Sequence, residues 1–414
     1  MKRIMMGAAM FLLACTIAVS QVSLLNEATN GLFKNVNDFV IKPNVMFNTV
    51  ETKQVIIGGG FNDLTFKSNT NGGGLIGYYH PGKKVHWSVA TALDMKSSTH
   101  TVKEVQGTTE TKYKNPIFND YKAGIRFTIG LPSMMNLSAG LVAHVEGTDT
   151  NGAEFTSTTA GTETTTINAH KKTFDVIAGI PVGFEITSSI YNFVEPLFFF
   201  SQDTIVLEGG SEEKTTALEY LVYDKLTFKN LFSTPFDSEA ALWIGAGNAN
   251  ISLVDELKKP AYTIDSQEVG YEVKFSSQLG VSYLMDFSMG EVNFLIKPMV
   301  YADLLLGVHK SITFGTTIAA DAGIYAPLDN LPIALFFAMT PGVQFYNTNN
   351  YSTEGADTIT TTKQVSRAFG TSVFWNGKIG TSILLPKDMT LDITLNVNPS
   401  GKTVGLSALM SVSL

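Results

Sequence analysis

Val404-Gly405-Leu406-Ser407-Ala408-Leu409-Met410-Ser411-Val412-Ser413-Leu414 is the stretch on which the fold turns. In an extended chain Val404, Leu406, Ala408, Met410, Val412 and Leu414 share one side, with Gly405, Ser407, Ser411 and Ser413 on the other. A period of two with no charged residue is expected of a barrel-closing strand, one face to lipid and one to the lumen.

The same period recurs upstream. Val269, Tyr271, Val273, Phe275, Leu279, Val281 and Tyr283 alternate with polar or small residues, and Tyr121, Ala123, Ile125, Phe127 and Ile129 do the same. The stretches 174–186 and 390–397 repeat it. Short turns fall at 80–84, 131–136, 187–192, 232–238, 286–290, 328–332 and 386–388, and longer polar loops at 96–120, 147–171, 208–217, 254–267 and 347–368. Short turns on one side and long loops on the other define an up-and-down membrane barrel with an even strand number. The expected fold is all-β, a transmembrane antiparallel β-barrel of about sixteen strands over residues 54–414, or fourteen if two ambiguous segments are not strands. Trp87, Tyr121, Trp243, Tyr271, Tyr283, Tyr325 and Trp375 are expected in interfacial girdles. Pro181, Pro196, Pro298 and Pro341 fall inside expected strands, where each removes a ladder hydrogen bond, and are expected at bulges or kinks.

The start of the chain reads as an export signal. Lys2 and Arg3 precede the apolar run 7–19, and Ala18-Val19-Ser20 supplies small residues for cleavage, so residues 1–20 are expected to leave. Leu12-Leu13-Ala14-Cys15 offers the alternative of a lipobox. Cleavage after Ser20 removes the one cysteine, and with it any disulfide. The net charge is −8, and loss of Lys2 and Arg3 makes it −10, a poor balance for nucleic acid. No apolar run after the signal reaches 18 residues, so a helical membrane protein is excluded although 44% of residues are hydrophobic.

Residues 21–53 place Leu24, Leu25, Ala28, Leu32 and Phe33 at roughly helical spacing, for a lumen-plugging hatch or a periplasmic helix under the rim. Asn30-Gly31-Leu32-Phe33-Lys34-Asn35-Val36-Asn37-Asp38-Phe39, with Phe47, Gly58-Gly59-Gly60-Phe61 and Gly77-Tyr78-Tyr79, resembles the amino-terminal region of predicted spirochaete outer-membrane β-barrel proteins. Some of these are themselves compared with the long-chain fatty acid transporter family, whose hatch motif Asn-Pro-Ala is absent here, with Lys42-Pro43-Asn44 nearby. The resemblance implies an outer-membrane barrel and, more distantly, uptake of a hydrophobic solute.

Strand parity turns Asp94, Glu146, Asp175, Glu185, Glu195, Glu268, Glu272, Glu291, Asp303, Asp321 and Asp392 to the lumen, against Lys122, Arg126, Lys274, Lys297 and Lys378. An open pore lined this way favours cations, whereas cross-lumen pairing would only seal it. A second inward set, Leu197, Phe199, Leu295, Met299, Tyr301, Phe336 and Ala338, is apolar. It is either a pocket for a hydrophobic solute, a contact for the hatch, or a sign that parity has slipped by one residue.

Six histidines occur, with neither a His-Glu-x-x-His nor a Gly-x-Ser-x-Gly motif. His144 and Glu146 share a face, which two rim residues explain without catalysis. No enzyme activity, metal or cofactor is expected. The expected function is passive passage of small or hydrophobic solutes, possible long-chain fatty acids included, through an outer-membrane barrel. Its expected partners are outer-membrane lipid and the barrel-assembly machinery. The alternative is a structural or adhesive surface barrel acting through its outer loops.

Overall fold

The computed structural model describes residues 53–61, 71–98, 102–106, 109–114, 117–159, 162–207, 212–232, 237–249, 273–307, 312–328, 331–354, 361–386, 389–398 and 403–414. The expected signal, the hatch segment up to Thr52, and Glu268, Tyr271 and Glu272 lie outside them. The first ten strands are β1 (Gln54–Phe61), β2 (Asn71–His80), β3 (His86–Ser98), β4 (Val102–Gln106), β5 (Thr109–Lys114), β6 (Ile117–Leu131), β7 (Leu137–Thr159), β8 (Thr162–Gly179), β9 (Val182–Thr187) and β10 (Ile190–Leu207). Then come β11 (Glu212–Lys229), β12 (Asp237–Gly247), β13 (Val273–Met289), β14 (Val292–Gly307), β15 (Ile312–Pro327), β16 (Ile333–Glu354), β17 (Thr361–Leu385), β18 (Met389–Asn398) and β19 (Thr403–Ser413).

Every pairing is antiparallel and the sheet closes on itself. β1 pairs with β2 on one side and with β19 on the other, in register from Gln54 opposite Ser413 to Phe61 opposite Leu406. Closure leaves the wall no free edge, the condition for a sheet in lipid. The seam is tight: a Cβ on Gly60 would lie 2.1 Å from the Leu406 carbonyl oxygen, so only glycine lets the first and last strands meet there. At the rim, Leu414 N–H donates to the Lys53 carbonyl at 2.9 Å.

Nineteen strands occur among the described residues where about sixteen were expected. β4 and β5 form a hairpin within the expected loop 96–120, and β3 pairs directly with β6 past it. The expected strand 174–186 is divided at Ile180-Pro181 into β8 and β9, because proline withholds a ladder N–H; Ile180 N–H instead reaches the Pro196 carbonyl at 3.1 Å. The expected loops 147–171 and 347–368 are largely strand, the tips of the β7–β8 and β16–β17 hairpins. Their threonines favour strand, but without an apolar face they show no alternation. Pro298 and Pro341 are not at bulges. Paired residues on either side of them keep one register, Met299 with Ser282 and Ile296 with Met285, for example.

Alternation sorts the two faces as expected over most of the wall. On β19 Ser407, Leu409 and Ser411 are buried inward, and on β13 Ser276, Gln278, Gly280 and Ser282 are buried while Leu279 and Val281 are exposed. Two expected girdle aromatics turn inward instead: Trp243 is buried, and Tyr325 shares the parity of buried Asp321 and Gly323. Trp87 packs on Tyr78 with ring centres 5.1 Å apart, and Tyr283 packs edge-on to Phe232 at 5.7 Å.

Candidate functional site

The inner face of β8 to β15 carries one continuous apolar and aromatic cluster. Tyr191, Phe193, Leu197, Phe199, Leu221, Tyr223, Trp243, Met299, Tyr301 and Leu305 are its larger members, with Tyr346 and Phe374 packed against it. Leu197, Phe199, Met299 and Tyr301 come together in this cluster. Leu295 belongs to a separate cluster with Leu284 and Ala338, and Phe336 is only half-buried, its ring over Gly380 of β17.

A hydrogen-bonded chain crosses this surface on three strands. Trp243 Nε1–H donates to Gln278 Oε1 at 3.0 Å, and Gln278 Nε2–H donates to Asp303 Oδ1 at 2.7 Å. The three groups are buried, and the register puts Gln278 directly opposite Asp303. Trp243 can lie in place because its neighbour across the ladder is Gly280; a Cβ there would stand 2.1 Å from Trp243 Cζ2. Gly280→Ala is therefore expected to push the indole off the wall, break the bond to Gln278, cost about 1–3 kcal/mol as overpacking, and shift tryptophan emission. An unchanged emission maximum and unfolding midpoint would contradict the packing.

The charged residues occupy three levels. In the β3–β6–β7–β8 register Asp94 stands opposite Lys122, Lys122 opposite Glu146, and Glu146 opposite Asp175, a row of alternating and then like charge toward the long-hairpin end. At the middle level Arg126 Nη2 lies 3.5 Å from Glu195 Oε1, and Glu195 is 1% exposed. On β15 and β16 Thr340 Oγ1–H donates to Asp321 Oδ1 at 2.7 Å, while Lys297 stands opposite Asp321 and buried Lys378 opposite Ala338. At the short-turn end Asn136 Nδ2–H donates to Glu185 Oε2 at 2.5 Å and Ser382 Oγ–H to Asp392 Oδ1 at 2.5 Å.

Two expected lumen charges do not join these rows. Lys274 is exposed next to the register shift between Val273 and Phe275, and Glu291 is exposed beside the turn at Gly290. Both lie at strand ends, Lys274 at the bulge and Glu291 after the positive-φ glycine. Sequence reading also missed Trp243, Tyr223, Phe193 and Tyr191 as inner-face residues. Extending the parity of Leu197 and Phe199 down the same strand finds Phe193 and Tyr191. Among the described residues no group of three or more His, Cys, Asp or Glu gathers as a metal site.

A closed antiparallel sheet with a largely apolar outer face and an inner one that gathers the acids beside an apolar stretch is a transmembrane β-barrel. No family model and no curated relative matches the chain. Among solved structures it is similar to CdiB from Acinetobacter baumannii, with a TM-score of 0.46 and 8% identity over 88% of this chain and 60% of that one. BamA from Haemophilus ducreyi lacking POTRA domains 1–3 gives 0.35 at 8% identity, covering 88% of this chain and 70% of that one. The ferric citrate transporter FecA in its unliganded form gives 0.39 at 8% identity, covering 88% and 68%. The chain spans only part of the length of each of these proteins, and the likeness is one of barrel architecture.

Proposed function

We propose that this chain is an outer-membrane barrel that passes small or hydrophobic solutes without catalysis, long-chain fatty acids being one candidate class. The observation behind this reading is the inner wall, where an acid-rich outer level leads to the apolar surface around Phe199, Trp243, Met299 and Tyr301. A polar bore would suffice for ions; the apolar stretch gives a hydrophobic solute somewhere to leave water. In the same reading residues 1–20 are the export signal, residues 21–53 sit at the periplasmic side, and the barrel-assembly machinery and outer-membrane lipid are the partners.

Purified barrel in planar bilayers and in liposomes loaded to report solute entry tests this. Conductance or uptake is expected; a folded barrel giving neither removes the proposal. The outer-level acids give it a second handle. Glu146→Gln with Asp175→Asn should lower the potassium over chloride permeability ratio, read from the reversal potential in a salt gradient, because two like charges opposite each other are removed from the entry.

One observation favours an adhesive role instead. β5 pairs with β7 from Thr109 opposite Thr159 to Lys114 opposite Glu154, so β4, β5, β7 and β8 form a threonine-rich sheet along the far ends of the two long strands. Deleting residues 153–165 should abolish surface-ligand binding in that case and leave solute uptake intact.

A further inference from the structure

The outward face of the wall is a largely apolar band. On β14 it reads Phe294, Ile296, Pro298, Val300, Ala302 and Leu304, and on β18 Leu391, Ile393 and Leu395. On β11 it reads Phe228, Leu226, Asp224, Val222, Tyr220 and Leu218, alternating with inward Thr227, Tyr223 and Leu221. The band is bounded at the short-turn end by the row Ile190, Phe228, Ala240 and Tyr283, and at the other by the row Lys172, Thr204 and Lys214. Within it, among residues whose side chains are described, Asp224 is the single carboxylate facing out.

Asp224 does not stand alone. Asn192 of β10, on the same outward face, donates from Nδ2 to Asp224 Oδ1 at 2.7 Å, with a longer approach of 3.5 Å to the Lys225 carbonyl. Val194 and Ile244 flank Asp224 directly on the neighbouring strands. Four residues along a tilted strand place Asp224 roughly 10 Å inside the Phe228 row. That depth is below the reach of a lipid headgroup, whose donors stay outside the hydrocarbon. An acid held among acyl chains is costly, and such groups are retained where another protein surface covers them.

The geometry points to a second copy of this chain as that surface. A two-fold axis along the membrane normal keeps depth and exchanges left and right along the wall, so it sets Asn192 of one copy opposite Asp224 of the other. Amide and carboxylate groups complement each other: the amide carries two N–H donors, so Asn192 can donate to the Asp224 carboxylate of its own copy and to that of the other. The patch is therefore self-complementary under a two-fold, whereas a head-to-tail ring would not bring it onto itself. The association is a side-by-side dimer through β10, β11 and β12, whatever passes through the lumen.

The test uses the full chain in liposomes, in a Cys15→Ser background that removes its one cysteine. Val194→Cys, next to the proposed axis, is expected to give a cross-linked dimer with a short bismaleimide, and Ile318→Cys, exposed on β15 three strands beyond β12, is not. Asn192→Leu with Asp224→Leu should lower cross-linking at Val194→Cys at least tenfold while the barrel still shows the heat-dependent gel shift of a folded wall. In detergent the unmodified chain should show the mass of two copies. A one-copy mass, equal linking at both positions, or linking that survives the double leucine variant overturns the dimer.

Discussion

Leu279→Arg is expected to lower folding stability by ~2 to 4 kcal/mol in liposome-refolded barrel, the cost of a basic side chain near the bilayer midplane on the lipid face. Leu279 is 53% exposed on β13, four residues from Tyr283 and opposite Ile244 of β12. Phe275, which the alternation alone also marks as outward, sits near the outer end of the same strand, next to Leu306 at the end of β14, so arginine there should cost less, about 0–1 kcal/mol. The inner face is no safer. Sequence parity predicts that arginine at Ser276 is tolerated by a wet lumen, yet Ser276 is fully buried and its hydroxyl donates to the Ala249 carbonyl. Arginine at 276 should therefore also fail to refold normally, by crowding rather than by facing lipid. Denaturant titration of the three variants gives the ordering; Leu279→Arg matching Phe275→Arg would place the band elsewhere on β13.

The wall was legible in the sequence because lipid and lumen impose a strict period of two, and one fixed residue, such as Leu409 or Gln278, sets the face of its whole strand. What stayed hidden has three physical causes. Strand that leaves the membrane no longer needs an apolar face, so the tips of β7, β8, β16 and β17 read as polar loop. Proline ended a strand at Pro181 yet was absorbed at Pro298 and Pro341, and the difference lies in the ladder partners, which composition does not reveal. The inner site depends on cross-strand register. Parity points Trp243, Gln278 and Asp303 inward one strand at a time, but that they form one hydrogen-bonded chain follows only from Trp243 meeting Gly280 and Gln278 meeting Asp303. The Asn192–Asp224 contact is hidden for the same reason, since the two residues are 32 positions apart.

Arg126→Met is expected to destabilise the barrel by about 3 to 5 kcal/mol, the range for removing one partner of a buried ion pair. Arg126 on β6 is 14% exposed and reaches across β7 and the β8–β9 break to Glu195 on β10, which is 1% exposed. The path is open because the residue between them is small: a Cβ on Gly179 would meet Leu197 Cδ2 at 2.7 Å and Glu195 Oε1 at 3.2 Å. Without the guanidinium, the Glu195 carboxylate stays in a site screened from water by the aromatic cluster, and a charge in such a place is far costlier than the pair. Arg126→Met combined with Glu195→Gln removes both charges and should recover most of the loss. Unfolding in vesicles followed by tryptophan emission compares the single and double variants. If the double variant is as unstable as Arg126→Met alone, the loss comes from the arginine's packing, and the ion pair is not what joins these strands.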